Sequence, residues 1–219
     1  MSADPRPPRR ILLVDDHPIV RLGIRQMLGG EPDLDLCGEA ESVAAATQLA
    51  LSTRPDLAIV DLSLAHGSGL ELIRDLRESL PSVPVLVLSM HDETLFAERV
   101  LRAGARGYIM KSEAITGLVE AIRQVLSGRI YVSQRIAQAV LERVGHEGGG
   151  IDTPLAGLTD RELEVFDLIG RGSSTVEIAG QLGVSVKTIE TYRSNIKAKL
   201  NLKDASDLIR FAATWTEHV

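Results

Sequence analysis

Five polar side chains close short apolar runs in this chain. Ile11-Leu12-Leu13-Val14 ends at Asp15 and Asp16, Leu57-Ala58-Ile59-Val60 ends at Asp61, the run over 83–88 ends at Ser89, and Tyr108-Ile109-Met110 ends at Lys111. Each alone reads as an ordinary end of a strand. Together they offer a defined chemistry. Three carboxylates brought close repel one another and call for a cation. With oxygen donors the ion expected is Mg²⁺, which keeps several of its waters. A carboxylate can act as a nucleophile toward phosphorus and give an acyl phosphate. A metal ion and a nearby ammonium would offset charge on the transferring oxygens. A hydroxyl could then donate a hydrogen bond to the attached phosphate.

The elements that must position these groups alternate. Strand-like runs over 10–14, 34–40, 57–60, 83–88 and 107–110 are separated by helical patterns over 18–28, 43–53, 69–80, 92–103 and 114–126. Pro18 suits a first helical turn, Ser42 a cap, and Gly104 a helix end. Five strands alternating with five helices predict an α/β domain, a parallel sheet covered on both faces. In a doubly wound order 2-1-3-4-5, strands one and three are neighbours where the order reverses, and strand ends there carry the reactive groups. All five side chains then converge on one edge. Residues 133–144 read as a further helix, and 146–154, with Gly148, Gly149, Gly150 and Pro154, as a flexible linker. Beyond it the pattern is helical throughout, opening with Thr159 and Glu162 at capping-box spacing.

Val14-Asp15-Asp16-His17-Pro18, Val60-Asp61-Leu62, Leu88-Ser89 and Tyr108-Ile109-Met110-Lys111 resemble the receiver domain of two-component response regulators. The resemblance covers about residues 10–127 and implies a flavodoxin-like fold. It implies that Asp61 accepts a phosphoryl group from a sensor histidine kinase. Asp15, Asp16, Asp61 and the backbone carbonyl of Ser63 would hold Mg²⁺, Lys111 and Ser89 would read the phosphate, and Tyr108 would be the switch aromatic that moves with Ser89. Ser63 and His91 occupy positions that tune phosphate lifetime in that family. Ala65 stands where many relatives carry Pro, and Ser112 follows Lys111 where many carry Pro. His17 and His91 read as a helix-start residue and a loop residue rather than as ligands. An aspartate-nucleophile phosphatase would need an acid at position 63, so the serine there counts against an enzyme.

The tail has the opposite problem. Residues 158–219 hold eight basic and nine acidic side chains, which argues against DNA, yet 185–203 hold five basic residues and only Glu190 as an acid. A basic helix beside an acidic scaffold is a footprint of DNA binding. The preceding helix over 174–182 and the turn at Gly183-Val184-Ser185 give helix, glycine turn, helix. Leu158-Thr159-Asp160-Arg161-Glu162, Glu177-Ile178-Ala179 and the stretch 185–196 are similar to LuxR-type domains, so the whole chain resembles the NarL/FixJ subfamily of transcription regulators. That resemblance implies contacts to double-stranded DNA from Lys187, Arg193, Asn195, Lys197 and Lys199, mostly at phosphates, and from Thr188, Glu190, Thr191 and Ser194 at base edges. Glu190 departs from relatives that carry Lys; it could accept from a cytosine amino group. Ala205, Leu208, Ile209 and Ala212 form a stripe that is either a homodimer surface or core.

The division expected is a receiver at 8–128, a linker helix and flexible segment at 129–157, and a four-helix DNA-binding domain at 158–219. The alternative reading is a DNA-binding regulator independent of phosphorylation, its receiver serving only for dimerisation. Aromatics are 3% of residues against 44% hydrophobic, so the core must be aliphatic. One cysteine, Cys37, excludes an internal disulfide and a cysteine-based zinc site. The apolar run after the basic N-terminus is too short for a signal-peptide core, and no run approaches a membrane span. A cytoplasmic protein is expected.

Overall fold

The computed structural model describes residues 7–64, 67–138 and 154–217. Ala65 and the glycines at 148–150 lie outside the described residues; the helix expected over 133–144 is present at 134–138, its remainder outside them. The chain divides into two compact units, Met1–Ser133 and Gln134–Val219.

The first unit holds β1 (Arg9–Val14), α1 (Pro18–Gly29), β2 (Leu34–Ala40), α2 (Val43–Thr53), β3 (Leu57–Val60), α3 (Gly69–Ser79), β4 (Val85–Ser89), α4 (Glu93–Ala103), β5 (Gly107–Met110) and α5 (Ala114–Leu126). The sheet is parallel, in the order β2-β1-β3-β4-β5. Ile11, Leu13, Ile59, Leu86, Leu88 and Ile109 share one core with Ile24 and Leu28 of α1 and Leu118 and Ile122 of α5. Alternation along each strand sends Leu12, Ala58, Val60 and Val87 to the opposite face, where they too are buried. Burial on both faces is why these strands read as unbroken apolar runs. β4 begins at Val85 rather than at 83. Pro84 has no N–H to give the ladder, although its carbonyl accepts from Ala58 (3.0 Å).

The sequence places residues 129–133 in the linker. The structure instead lays Tyr131 along the outer edge of β5. Tyr108 N–H donates to the Tyr131 carbonyl (2.8 Å), and Tyr131 N–H donates to that of Arg106 (3.0 Å). The segment thus covers part of an edge strand that would otherwise offer its backbone to other chains. Gly107 makes the approach possible, since a Cβ there would come within 3.0 Å of the Tyr131 carbonyl oxygen and 2.8 Å of a Leu86 methyl.

The second unit is helical across its described residues from 154 on: a 3₁₀ turn (Pro154–Gly157), then α6 (Asp160–Gly170), α7 (Thr175–Gln181), α8 (Val186–Lys199) and α9 (Ala205–Glu217). Thr159 and Glu162 make both bonds of the capping box at α6, and Ser174 and Glu177 make a second at α7. Gly183 takes φ 63° in the turn before α8, a conformation glycine adopts without cost. Leu163 and Phe166 of α6, Ile178 of α7, Ile189 and Ile196 of α8, and Leu208 and Ala212 of α9 are buried. The α9 stripe therefore divides: Leu208 and Ala212 are core, while Ala205 and Ile209 face outward. Among the described residues no helix is long and apolar enough to cross a membrane.

Candidate functional site

Parallel register assembles the first site. Val14 pairs with Val60, and the Asp61 N–H donates to the Val14 carbonyl (2.9 Å), which sets Asp15 and Asp61 side by side. Ser89 pairs with Met110, and the Lys111 N–H donates to the Ser89 carbonyl (2.8 Å). The Lys111 ammonium then lies 2.7 Å from Oδ2 of both Asp15 and Asp61. These side chains are nearly closed off from water, at 8%, 1% and 2% exposure for Lys111, Asp15 and Asp61. Asp16 sits nearer the surface beside His17, whose Nδ1 is 2.7 Å from Asp16 Oδ1 and 3.2 Å from Asp15 Oδ1. One donor atom from each of Asp15, Asp16, His17 and Asp61 lies within 4.8 Å of the others. Three carboxylates in that space suit a hard divalent cation. His17 starts α1 as its N-cap residue, as the sequence predicts, and also stands beside the carboxylate cluster.

Burial pushes the Asp61 carboxyl up to about 6; the Lys111 charge opposes this and Asp15 adds to it. Burial would lower the Lys111 ammonium, but Asp61 and Asp15 more than offset that and hold it above its ordinary value. The lysine is thus a fixed positive charge against the carboxylate pair.

Ser89 is fully buried, and its Oγ accepts from the His91 N–H (3.1 Å). The Tyr108 hydroxyl, also buried, donates to the His91 carbonyl (2.8 Å). The His91 ring is buried against Phe96, centroids 4.6 Å apart, and its Nε2 is 2.6 Å from Ser63 Oγ. Ser63 N–H in turn approaches Asp61 Oδ1 (3.3 Å). His91 therefore ties Ser89, Tyr108 and Ser63 together, a role no local motif announces. Gly69 closes the loop after Asp61. A Cβ there would lie 2.2 Å from the Asp61 carbonyl oxygen, so the α3 start needs the missing side chain as well as its helical pattern.

In the second unit Lys187, Glu190, Thr191, Ser194 and Asn195 fall at helical spacing on one exposed face of α8. Thr188, Arg193 and Lys197 flank it, half-buried. The Thr188 N–H is capped by Ser185 (3.1 Å). Lys199 is different: its Nζ donates to Glu162 Oε2 at 2.6 Å, so this ammonium already serves a nearly buried carboxylate on α6.

Residues 11–123 match the response regulator receiver domain family, and residues 156–212 match the bacterial regulatory proteins of the luxR family. The chain is 35% identical over 208 residues to the oxygen regulatory protein NreC of Staphylococcus carnosus, covering 93% of this chain and 96% of that one. It is also 35% identical over 203 residues to the DNA-binding transcriptional activator DevR/DosR of Mycobacterium tuberculosis, covering 93% of each. Among solved structures it resembles RcsB of Salmonella enterica serovar Typhimurium, bound to promoter rprA in the presence of the phosphomimetic BeF₃⁻. That likeness has a TM-score of 0.62 at 27% identity and covers 94% of this chain and 98% of the other. The chain therefore belongs to the two-component response regulators that join a receiver domain to a LuxR-type DNA-binding domain. This is a family of transcription regulators rather than of enzymes.

Proposed function

We propose that Asp61 accepts a phosphoryl group from a sensor histidine kinase in the cytoplasm, and that the phosphorylated chain binds double-stranded promoter DNA as a homodimer. The observation that carries the reading is one ammonium, from Lys111, set 2.7 Å from two buried carboxylates at adjoining strand ends. An Asp61 carboxylate oxygen attacks phosphorus. The new O–P bond forms as the bond to the kinase imidazole nitrogen breaks, and that nitrogen leaves with the electron pair. Lys111 offsets charge on the phosphoryl oxygens, and the Ser89 hydroxyl donates to one of them. Asp15, Asp16, Asp61 and the Ser63 carbonyl would hold Mg²⁺, which when bound supplies further positive charge there. Water later hydrolyses the acyl phosphate slowly, returning Asp61 and inorganic phosphate.

Readout begins at His91. Ser89 and Tyr108 are both bonded to its backbone, so drawing Ser89 toward a phosphate shifts the anchor of Tyr108 and biases the α4–β5 surface. Residues 8–128 receive the signal, 158–219 read DNA, and 129–157 join them. In α8, Lys187, Arg193, Asn195 and Lys197 meet phosphates, and Thr188, Glu190, Thr191 and Ser194 face base edges. Lys199 leaves the phosphate set because Glu162 holds it.

The test has two arms. Acetyl phosphate with Mg²⁺ should label the chain, and Asp61→Asn should abolish the label; labelling that persists in the variant refutes the acceptor assignment. DNA affinity measured with and without phosphorylation should rise with it. Equal affinities would leave the receiver as a dimerisation module only.

A further inference from the structure

We infer that His17 is a nitrogen ligand of the cation site, and that it raises the affinity of that site for a late first-row ion such as Co²⁺ or Zn²⁺ relative to Mg²⁺. The inference rests on the proposal that Asp15, Asp16 and Asp61 hold a cation.

Position and chemistry both support it. His17 Nδ1 lies 2.7 Å from Asp16 Oδ1 and 3.2 Å from Asp15 Oδ1. Neighbouring donors around a single octahedral ion with metal–ligand bonds near 2.1 Å are about 3 Å apart, a spacing that these contacts match and that their hydrogen bond without an ion also gives. The ring turns to the two carboxylates, with Nδ1 hydrogen-bonded to Asp15 Oδ1, and away from the helix. His17 is the N-cap residue of α1, yet its side chain makes no capping bond. Pro18 confines it to an extended backbone, φ −87° and ψ 109°, which fixes where the side chain leaves the chain. The imidazole is also 58% exposed and open to an arriving ion.

Mg²⁺ gains little from imidazole nitrogen, because it prefers oxygen donors and water. Co²⁺, Ni²⁺ and Zn²⁺ gain substantially. One residue therefore changes which ions compete for the site without changing its carboxylates. The rival account is that His17 only balances the negative charge of Asp15 and Asp16. In that case its loss would alter affinity for all divalent ions alike.

The experiment uses the full untagged chain titrated with Co²⁺, followed by visible d–d absorption, with Mg²⁺ read by its displacement of that signal. His17→Ala and His17→Asn should weaken Co²⁺ by about tenfold or more while Mg²⁺ affinity stays within about twofold. Co²⁺ and Mg²⁺ affinities changing together, or not at all, would overturn the role of His17. Asp16→Asn separates the two layers. If the Co²⁺ signal and Mg²⁺ displacement survive that change, the cation site itself is refuted, and His17 with it.

Discussion

Lys199→Ala should cost the second unit stability and leave its salt-dependent DNA binding alone. Lys199 Nζ and the Thr159 N–H converge on the same Glu162 oxygen, at 2.6 and 2.7 Å. The carboxylate is 4% exposed and the lysine 38%. Breaking a fully buried pair costs about 3–5 kcal/mol and an exposed one about 0–1. Here the lysine end is screened by water and Glu162 keeps its capping bond, so a loss of about 1–2 kcal/mol is expected. For a unit of this size that lowers the melting point by about 5–10 °C. Trp215, the one tryptophan, lies in α9 near Phe211, ring centroids 6.0 Å apart, so its fluorescence follows this unit. The effect has a pH signature. Burial pushes the Glu162 carboxyl up, but Lys199 and the Thr159 cap outweigh it and hold it below the usual glutamate value of 4.5. A lowered folded pKa contributes stability that is complete above the unfolded value and lost as pH falls through the folded one. The gap between wild type and variant should be full at neutral pH and close as pH drops below 4.5. Lys187→Ala, by contrast, should reduce the slope of log K against log salt by about 0.9. A Lys199→Ala protein that loses that slope and melts unchanged would refute the assignment.

Asp61→Asn should stabilise the first unit at neutral pH, because a buried carboxyl raised to about 6 opposes folding when ionised. The shift sets an upper limit of about 3 kcal/mol, and the advantage over wild type should shrink as pH falls through about 6; a destabilised variant in chemical denaturation would contradict it. Gly69→Ala should cost about 1–3 kcal/mol, since its Cβ would meet backbone at 2.2 Å, and should also slow acetyl phosphate labelling; native stability and rate would show that the loop yields freely. Ser174→Ala should lose about 1 kcal/mol from the second unit, read by Trp215 fluorescence, and an unshifted transition would mean the second capping box adds nothing to stability.

What the sequence conveys and what it withholds follow from range. Strand ends are local, so an apolar run followed by Asp15, Asp61, Ser89 or Lys111 is visible along the chain, as is Thr159 with Glu162. Partnerships across long separations are not. His91 and Ser63 are 28 residues apart and Lys199 and Glu162 37; no periodicity joins them, and Lys199 therefore reads by charge alone as a phosphate contact. Tyr131 is missed for another reason. A single residue that borrows the edge of β5 is too short to carry a strand pattern, and the only trace in the sequence is Gly107, whose missing side chain admits it.

The two interiors also show what the acidic edge costs the fold. Asp15 and Asp61 are buried beside each other, with one ammonium between them. Burial and Asp15 push the Asp61 carboxyl up to about 6 against the opposing Lys111 charge. The stability has to come from elsewhere, namely from the aliphatic core that α1 and α5 seal over one face of the sheet. A divalent cation held there, as proposed, would offset the repulsion between these carboxylates, so the receiver should gain stability when the ion binds. A site already satisfied by its own residues would have nothing to gain from it. On the proposed reading, a ligand that answers this unrelieved carboxylate would act through Ser89 and Tyr108, both bonded to the His91 backbone, to bias the α4–β5 surface.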